Sequence, residues 1–507
     1  MMASTKTKKR RWWSRLAFWR KADADPQRKR TYFAAEQGRR TDSWRMPRTS
    51  VNAETDRALL PLRARARELV RNDTHAASAV SVLVNNLVGD GIRPRSNTGD
   101  ADLDAQVNDL WARWGQDAAS DGQQDVYGVQ ILACRAVVES GEVLLRRRWR
   151  RVTDGLAVPF QVETLEGDML DETKTERTRR GQIVQGVEFN GRGMRARYWL
   201  YPEHPGALNK GFQGLTFNES RPVRASEISH AFEQQRPGQV RGVSWLAPSM
   251  DRLMSFSDYT DAEVDRKRME SSIFASVDGL DTGFALDPDG QERQGGQRCT
   301  DANGNDLEVI EPGTIFYAPP GAAMHLHAPA SVGGVAEYRR QELTGIAAGL
   351  RLVYTLLTGD LTGVNYSSIR AGLVEFRRFV KAMRQAVIIR GICDPVWSWF
   401  IEAAILAGEL PERESYPVVW SPPQFEGVDR LKDAQADALE ILTLLNSGPR
   451  AVSARGLDPT EILTEQAEWL AKVREAGLAP PWSAGTAGAP AAPIEDEDED
   501  SEDEGAE

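Results

Sequence analysis

Residues 246 to 277 read as one long helix whose apolar stripe runs out before the helix does, and no other stretch restricts the fold so strongly. Leu246, Met250, Leu253 and Met254 recur at helical spacing, with Pro248 suited to a first turn and Ser244 to a cap. Past Tyr259 the segment "TDAEVDRKRMESS" is charged nearly all round, and Glu263 and Lys267 stand at the i,i+4 spacing of a helical ion pair. A lone monomer gains little by extending such a helix into water. The helix therefore either bridges two domains or packs against copies of itself. Residues 278 to 332 are Gly/Pro-rich and strand-like, and helical periodicity returns over Val335 to Leu357. Helix, small β insert, helix is the pattern of a stalk with a tip.

The stretch that launches this helix, "RPGQVRGVSWLAPSM" (236 to 250), admits two readings. Arg236, Gln239 and Arg241 at a helix start could bind an anion, because unpaired amides and the helix dipole favour negative charge there. The same side chains could instead tie a turn to carboxylates of a neighbouring domain, with Gly238 and Gly242 letting the backbone bend and Pro248 setting the first helical turn. The rest of the chain favours the tie. It contains no Gly-Lys dipeptide, so the phosphate-cradling G-x-x-x-x-G-K-[ST] loop is absent, and it has no G-x-S-x-G elbow. The G-x-G of "GDGIRP" follows a helix rather than a strand, the wrong context for a dinucleotide site.

Upstream, Thr55 to Val88 is helical by periodicity, with Asn72 or Asp73 able to cap a second segment, and residues 101 to 139 are helical with Trp111 and Trp114 on one face. After the Ser140-Gly141 turn the texture becomes β. "EVLLRRRW", "PFQVETLEG" and "GQIVQGVEFNGRGMRARYWLY" predict an antiparallel sheet, with "FNGRG" as a hairpin turn and "EISHAFEQQ" closing the unit. Downstream, Ser368 to Phe400 and residues 428 to 475 are helical, the latter broken around Ser447-Gly448-Pro449 and Leu457-Asp458-Pro459. The fold class is α+β.

Charge is distributed unevenly. The net charge of the 507-residue chain is −11, yet residues 1 to 50 hold fifteen Lys/Arg against four acids, and "EDEDEDSEDEGAE" at 495 to 507 holds ten acids and no base. Residues 51 to 494 therefore carry a net charge of about −12, the wrong sign for a folded surface built to grip phosphates. The tryptophan-bearing leader and the aperiodic tail are expected to be disordered. No secretion signal or membrane span is expected: the N-terminal apolar stretch is broken by Arg15 and Arg20, and the best internal apolar run carries Arg390, Asp394, Pro395 and Glu402. Cys134, Cys299 and Cys393 are far apart, fitting structural thiols in a reduced compartment. His325-x-His327 lacks a third ligand nearby, so no metal site is predicted, and His230 reads as a hydrogen-bonded structural histidine. No carboxylate pair stands out as acid and base.

Five segments then carry a resemblance: "LVRNDTHAASAVSVLVNNLVGDGIRP", "DVYGVQILACRAVVESGEVLL", "HAFEQQRPGQVRGVSWLAPSM", "EVIEPGTIFYAPPG" and "LTGDLTGVNYSSIRAGLVEFRR". In this order, from about Ala58 to Leu470, they resemble the portal proteins of tailed bacteriophages, specifically the lambda-like family. The resemblance implies a portal-type fold: basic leader (1–54), α+β wing (55–245), first stem helix (246–277), clip (278–332), second stem helix (333–357), a segment returning by channel or wing (358–427), helical crown (428–476) and acidic tail (477–507). It implies a dodecameric ring at one capsid vertex, in the virion and assembled in the bacterial cytoplasm, through which double-stranded DNA is packaged and ejected. Implied partners are terminase, the major capsid and scaffold proteins and head-tail connector proteins, with no membrane, cofactor, metal or catalysis. Arg236, Gln239, Arg241, Gly242 and Pro248 would form the wing-stem joint or a subunit interface; Glu263, Lys267, Ser367, Ser368 and Arg370 would lie in the channel or stem. Two other classes stay open: a nucleic-acid-processing enzyme with an Mg²⁺-binding carboxylate site, and a different self-assembling virion adaptor.

Overall fold

The computed structural model describes residues 48–179, 181–207, 219–271, 274–278, 298–300, 306–308, 323–327, 334–362, 366–425, 430–455, 457 and 459–478. The leader to residue 47, the acidic tail from 479 and most of the 278–332 insert lie outside them. The fold is that of the unit Val51–Glu507.

It opens with three helices, α1 (Val51–Thr55), α2 (Leu59–Asn72) and α3 (Thr74–Leu87). Asp73 separates the last two because its extended backbone leaves the helix while its carboxylate accepts from the Ala76 amide at 2.7 Å. Strand β1 (Arg93–Ser96) leads to α4 (Ala101–Gly115) and α5 (Val126–Ser140). Trp111 and Trp114 do share a buried face of α4, and the Trp114 ring stacks on Phe160 at 4.7 Å while its indole N–H donates to the Phe160 carbonyl at 2.9 Å.

The β region follows as β2 (Glu142–Trp149), β3 (Phe160–Glu166), β4 (Glu176–Thr178), β5 (Gly181–Val184), β6 (Val187–Asn190), β7 (Arg195–Leu200), β8 (Arg221–Arg224) and β9 (Ile228–Phe232). Strands β3-β2-β9 form one antiparallel sheet and β4 to β8 a five-stranded meander. Both faces of β2 are buried over its first half. Val143 and Leu145 enter the main core with α5, and Leu144 enters a second, smaller core with Leu170, Val187, Tyr198, Leu200, Ile228 and Val240. "FNGRG" is the β6–β7 hairpin, with Gly193 at φ 78° and the Asn190 side chain accepting from the Arg192 and Met194 amides.

Helix α6 spans Met250–Ser271, shorter than predicted at both ends. Pro248 lies two residues ahead of it in a run of turns, where the Ser249 amide donates to the Leu246 carbonyl. Residues 274 to 277 are not helix but strand: β10 (Phe274–Asp278) pairs antiparallel with β13 (Ala323–His327), and β11 (Arg298–Thr300) with β12 (Asp306–Glu308). Ala275 and Val277 alternate with Ser276 and Asp278, which suits a strand better than another helical turn.

The predicted helix over Val335 to Leu357 is two, α7 (Val335–Gly349) and α8 (Tyr354–Thr358). Between them Arg351 takes a left-handed backbone (φ 61°), held by ion pairing with Glu233 at 2.8 Å and by stacking over Trp245 and Phe379. Helix α9 (Tyr366–Met383) passes through a π-helical stretch, Arg384–Cys393, into α10 (Asp394–Ala407). Strand β14 (Val418–Ser421) pairs with β1. The chain continues as α11 (Arg430–Leu442), α12 (Gly448–Ala454) and α13 (Pro459–Glu475). The main core gathers α2 to α5, β2, β3, the start of α6, α7, the π stretch and α10. Among the described residues no helix is long and apolar enough to cross a membrane.

Candidate functional site

The predicted joint folds around one carboxylate. Glu142, the first residue of β2, is fully buried, and Arg241 meets it from the far end of the chain segment. The Arg241 Nε lies 3.0 and 3.1 Å from the two carboxylate oxygens, and Nη2 also donates to one of them. The remaining guanidinium donors reach backbone: Nη1 donates to the Gln185 carbonyl at 3.0 Å and Nη2 to that of Gly167 at 2.8 Å. Gln185 and Gly186 are the two central residues of the β5–β6 turn, both at positive φ (48° and 83°), so the hairpin turn itself presents an acceptor to the arginine. Two more donors converge on Glu142, the Gly242 amide at 2.8 Å and His230 Nε2 at 2.9 Å. Arg63 of α2 completes the shell at 3.6 Å and reaches Asp168 at 3.2 Å and Glu172 at 3.1 Å.

Burial by itself would raise the Glu142 carboxyl. Arg241, then His230 and Arg63, outweigh it and hold the group well below the usual carboxylate range. For His230 burial prevails over the pull of Glu142, and the imidazole falls to about 4. It is therefore neutral, with Nε2–H donating to Glu142 and Nδ1 accepting from Arg195 at 3.1 Å. The Arg63 guanidinium is likewise disfavoured by burial, and Glu142, Asp168 and Glu172 reverse that and raise it.

The other predicted joint residues surround this pair. Gln239 is buried and closes the turn, accepting from the Gln235 and Arg236 amides and donating to the Arg241 carbonyl at 2.8 Å. Arg236 is exposed and pairs with Glu54 of α1 at 2.8 Å. Asn52 of α1 clamps the same turn, donating to the Gly238 carbonyl and accepting from the Val240 amide. At Gly242 an added Cβ would stand 2.1 Å from the Gly141 carbonyl oxygen, so the chain passes there only because the residue has no side chain. Beyond it the Trp245 amide donates to the Val138 carbonyl, and Ser249 Oγ donates to Ile346 of α7 at 3.1 Å. The segment thus locks α1, α2, β2, β9 and the β5–β6 turn to the base of the α6–α7 pair.

The stem candidates lie apart from it. On α6, Glu263 is held by Arg266 one turn on, which lowers its carboxyl, and the predicted partner Lys267 contributes only a weaker charge effect. Helices α6 and α7 run antiparallel, with Arg252 against Glu342 at 3.7 Å and Tyr259 edge-on to Tyr338 at 4.7 Å. Arg370 is exposed on α9; Ser367 and Ser368 lie in the same helix, their side chains outside the described residues. His325 and His327 stand on β13 opposite Ser276 and Phe274. Sequence reasoning missed Glu142, Arg63, Gln185 and Asn52; a lone acid opening an apolar strand was the one signal available for Glu142.

One group among the described residues brings potential metal ligands together: Glu166, Asp168 and His204, with ligand atoms within 4.8 Å of one another. Arg67 already lies on both carboxylates, at 2.8 and 2.6 Å, so their charge is met by a guanidinium. The chemistry of the whole assembly is that of a clamp between structural elements.

Comparison with known proteins puts the chain in the class of phage portal proteins. Residues 37–384 match the family model described as phage portal protein, lambda family, and the chain belongs to that family. It is 26% identical to the probable portal protein of Halomonas phage phiHAP-1 over 91% of this chain and 90% of that one. It is 24% identical to portal protein B of Escherichia phage lambda over 87% and 89%. Among solved structures, the neck of an empty GTA particle is similar at 14% identity and a TM-score of 0.43, over 78% of this chain and 93% of that one. The protein is a structural component of a virion.

Proposed function

We propose that the chain is one of twelve subunits of a ring at a single capsid vertex, a conduit for double-stranded DNA during packaging and ejection. In this reading residues 55–245 are the wing, α6 and α7 the stem, β10 to β13 part of the clip, α9 and its neighbours a channel or wing segment, and α11 to α13 the crown. The observation that carries it is the arm α6–β10 and β13–α7. Two antiparallel helices flank in sequence a segment whose described strands β10 and β13 pair, one of the helices is charged nearly all round, and the turn ahead of it is anchored by the buried Arg241–Glu142 pair. Charged flanks fit neighbours in a head-to-tail ring that closes by rotation. In this reading the clamp has a structural role and the subunit is a conduit without catalysis of its own. The motor is a separate terminase ATPase docking at the clip; capsid and scaffold proteins surround the wing, and head-tail connectors follow. Assembly takes place in the bacterial cytoplasm. The acidic body keeps DNA sliding, since a wall that neutralised phosphates would hold it through salt-dependent contacts. Electron microscopy of the purified protein tests the proposal: twelve-fold rings with a central hole support it, whereas monomers that cut DNA with Mg²⁺ would sink it. Tight DNA binding by residues 51–494 at low salt would defeat the sliding argument.

A further inference from the structure

A cleft of about 180 Å³ opens where the end of α3, α9 and the residues after β14 meet. Its polar lining is all of side chains able to donate, Asn85, Asn86, Arg377, Arg384 and Gln424, and none of the lining residues is acidic. The two guanidiniums stand over one aromatic ring, 5.3 and 5.0 Å from the centre of Phe425. In a body whose net charge is about −12, a pocket with two cations and no acid is an exception.

Arg384 is the informative member. It is 6% exposed, and among the described residues no carboxylate pairs with it. Its Nε and Nη2 are spent on the Leu87 and Asn86 carbonyls, and Nη1 makes no hydrogen bond. Carbonyls at a helix end offer partial charge only, so they satisfy two donors and leave most of the positive charge uncancelled. The other buried arginines differ in this respect: Arg241 lies on Glu142, and Arg63 reaches Glu142, Asp168 and Glu172. A buried cation without a counter-ion is costly, and here the space for one is present beside it.

We propose that this cleft is an oxyanion site and that its occupant is a carboxylate of the chain's own acidic segment, residues 495–507. A single oxyanion on partly hydrated guanidiniums binds weakly, so a free anion fills such a site poorly. A segment of the same chain is supplied at an effective concentration on the order of millimolar, and this one offers ten acids and no base. Its reach suffices. Helix α11 begins five residues after Phe425, and the uncharged stretch 479–494 spans up to about 55 Å when extended, twice the length of α13 at about 25 Å. Duplex DNA is the weaker candidate, because an acidic body repels a rod of phosphates before one of them meets a recessed guanidinium. The proposal does not depend on the ring reading above.

The test places p-benzoylphenylalanine at Asn85, an exposed position on the rim, in the full-length chain, and maps the products of irradiation by mass spectrometry. At low salt the crosslinks should fall in residues 495–507. Their yield should drop at least about tenfold when the ten acids are replaced by their amides, as expected for the loss of one charge-assisted hydrogen bond. Arg377→Gln should lose the crosslink and Arg377→Lys should retain it, since the site requires the charge. The amide variant leaves the folded body untouched, so a misfolded Arg377→Gln protein does not shelter the proposal. Crosslinks to 495–507 that persist in the amide variant overturn it, as do products confined to other parts of the chain, residues 426–429 included. A short DNA duplex that takes over the crosslink overturns it in favour of a phosphate occupant.

Discussion

Arg241 and Glu142 stand 99 positions apart in the chain and meet where neither has any exposure to solvent. The arginine spends its Nε and one Nη on the carboxylate and reaches backbone carbonyls with both Nη atoms, so each group satisfies the other and a hairpin turn besides. Removing one partner of such a pair leaves the other charge buried, which costs about 3–5 kcal/mol. Arg241→Ala is therefore expected to unfold the joint, lowering the urea midpoint of the chain and abolishing rings. Arg241→Lys retains the charge but loses the planar fork, and should fall between the two. A wild-type midpoint with normal rings in Arg241→Ala would mean that the angle of α6 is set elsewhere.

What could be read from the sequence here, and what could not, divides by range. Asp73 as a cap, Trp111 and Trp114 on one face and the "FNGRG" turn depend on neighbours within a few residues, and each is found where periodicity and turn chemistry place it. The coincidence of glycine, arginine and a helix start marked residues 236–250 as a turn with polar anchors, and the structure shows Gln239 and Arg241 buried and hydrogen-bonded there. The partner of Arg241 was not legible: a lone acid opening an apolar strand is the one local signal, and whether Glu142 is buried is decided by β9, α2 and Arg241 arriving from elsewhere. The break after α7 escaped for the same reason, because Arg351 is held in its left-handed turn by Glu233, Trp245 and Phe379.

Gly242 is the tightest point of the joint. A Cβ there would lie 2.1 Å from the Gly141 carbonyl oxygen and 2.7 Å from Phe232 Cβ, and Gly141 itself sits at φ 94° with Val243 pressed against it. Backbone meets backbone, so no rotamer relieves the clash. Gly242→Ala should cost roughly 3 kcal/mol or more, visible as a lower thermal midpoint or as loss of soluble protein. Gly238→Ala is the control for a crowding effect: it too has positive φ (81°) but nothing within 4 Å, so only backbone strain of about 1 kcal/mol applies.

His230 makes the joint sensitive to acid. Its ordinary pKa of 6.5 is depressed to about 4 in the fold. Below pH 6.5 the unfolded chain binds a proton that the folded chain refuses, so stability is complete above that value and falls as pH is lowered towards 4. The loss over that window is on the order of 3 kcal/mol. His230→Gln keeps a donor for Glu142 and an acceptor for Arg195 without titrating, and its urea midpoint should vary less between pH 7.5 and 5. Equal pH slopes in the two proteins would assign the acid sensitivity to other groups.

Arg384 is a further buried cation, beside Arg241 and Arg63, with a different kind of partner. It begins the π-helical stretch, is 6% exposed, and donates from Nε to the Leu87 carbonyl at 2.9 Å and from Nη2 to that of Asn86 at 2.8 Å, while its guanidinium lies 5.0 Å from the centre of the Phe425 ring. These carbonyls end α3, where orphan acceptors and the negative end of the helix dipole welcome a cation. Burial nevertheless lowers the guanidinium from its ordinary value, so the site combines a desolvation cost with two strong hydrogen bonds. Arg384→Met removes both at similar volume, leaving acceptors without donors but relieving the buried charge. The expected net loss is about 1–3 kcal/mol, smaller than for Arg241→Ala, where an opposite charge is left behind. Chemical denaturation of the two variants side by side checks the ranking, and an Arg384→Met protein less stable than Arg241→Ala would show that helix-end carbonyls, rather than the buried carboxylate, are the costlier groups to abandon.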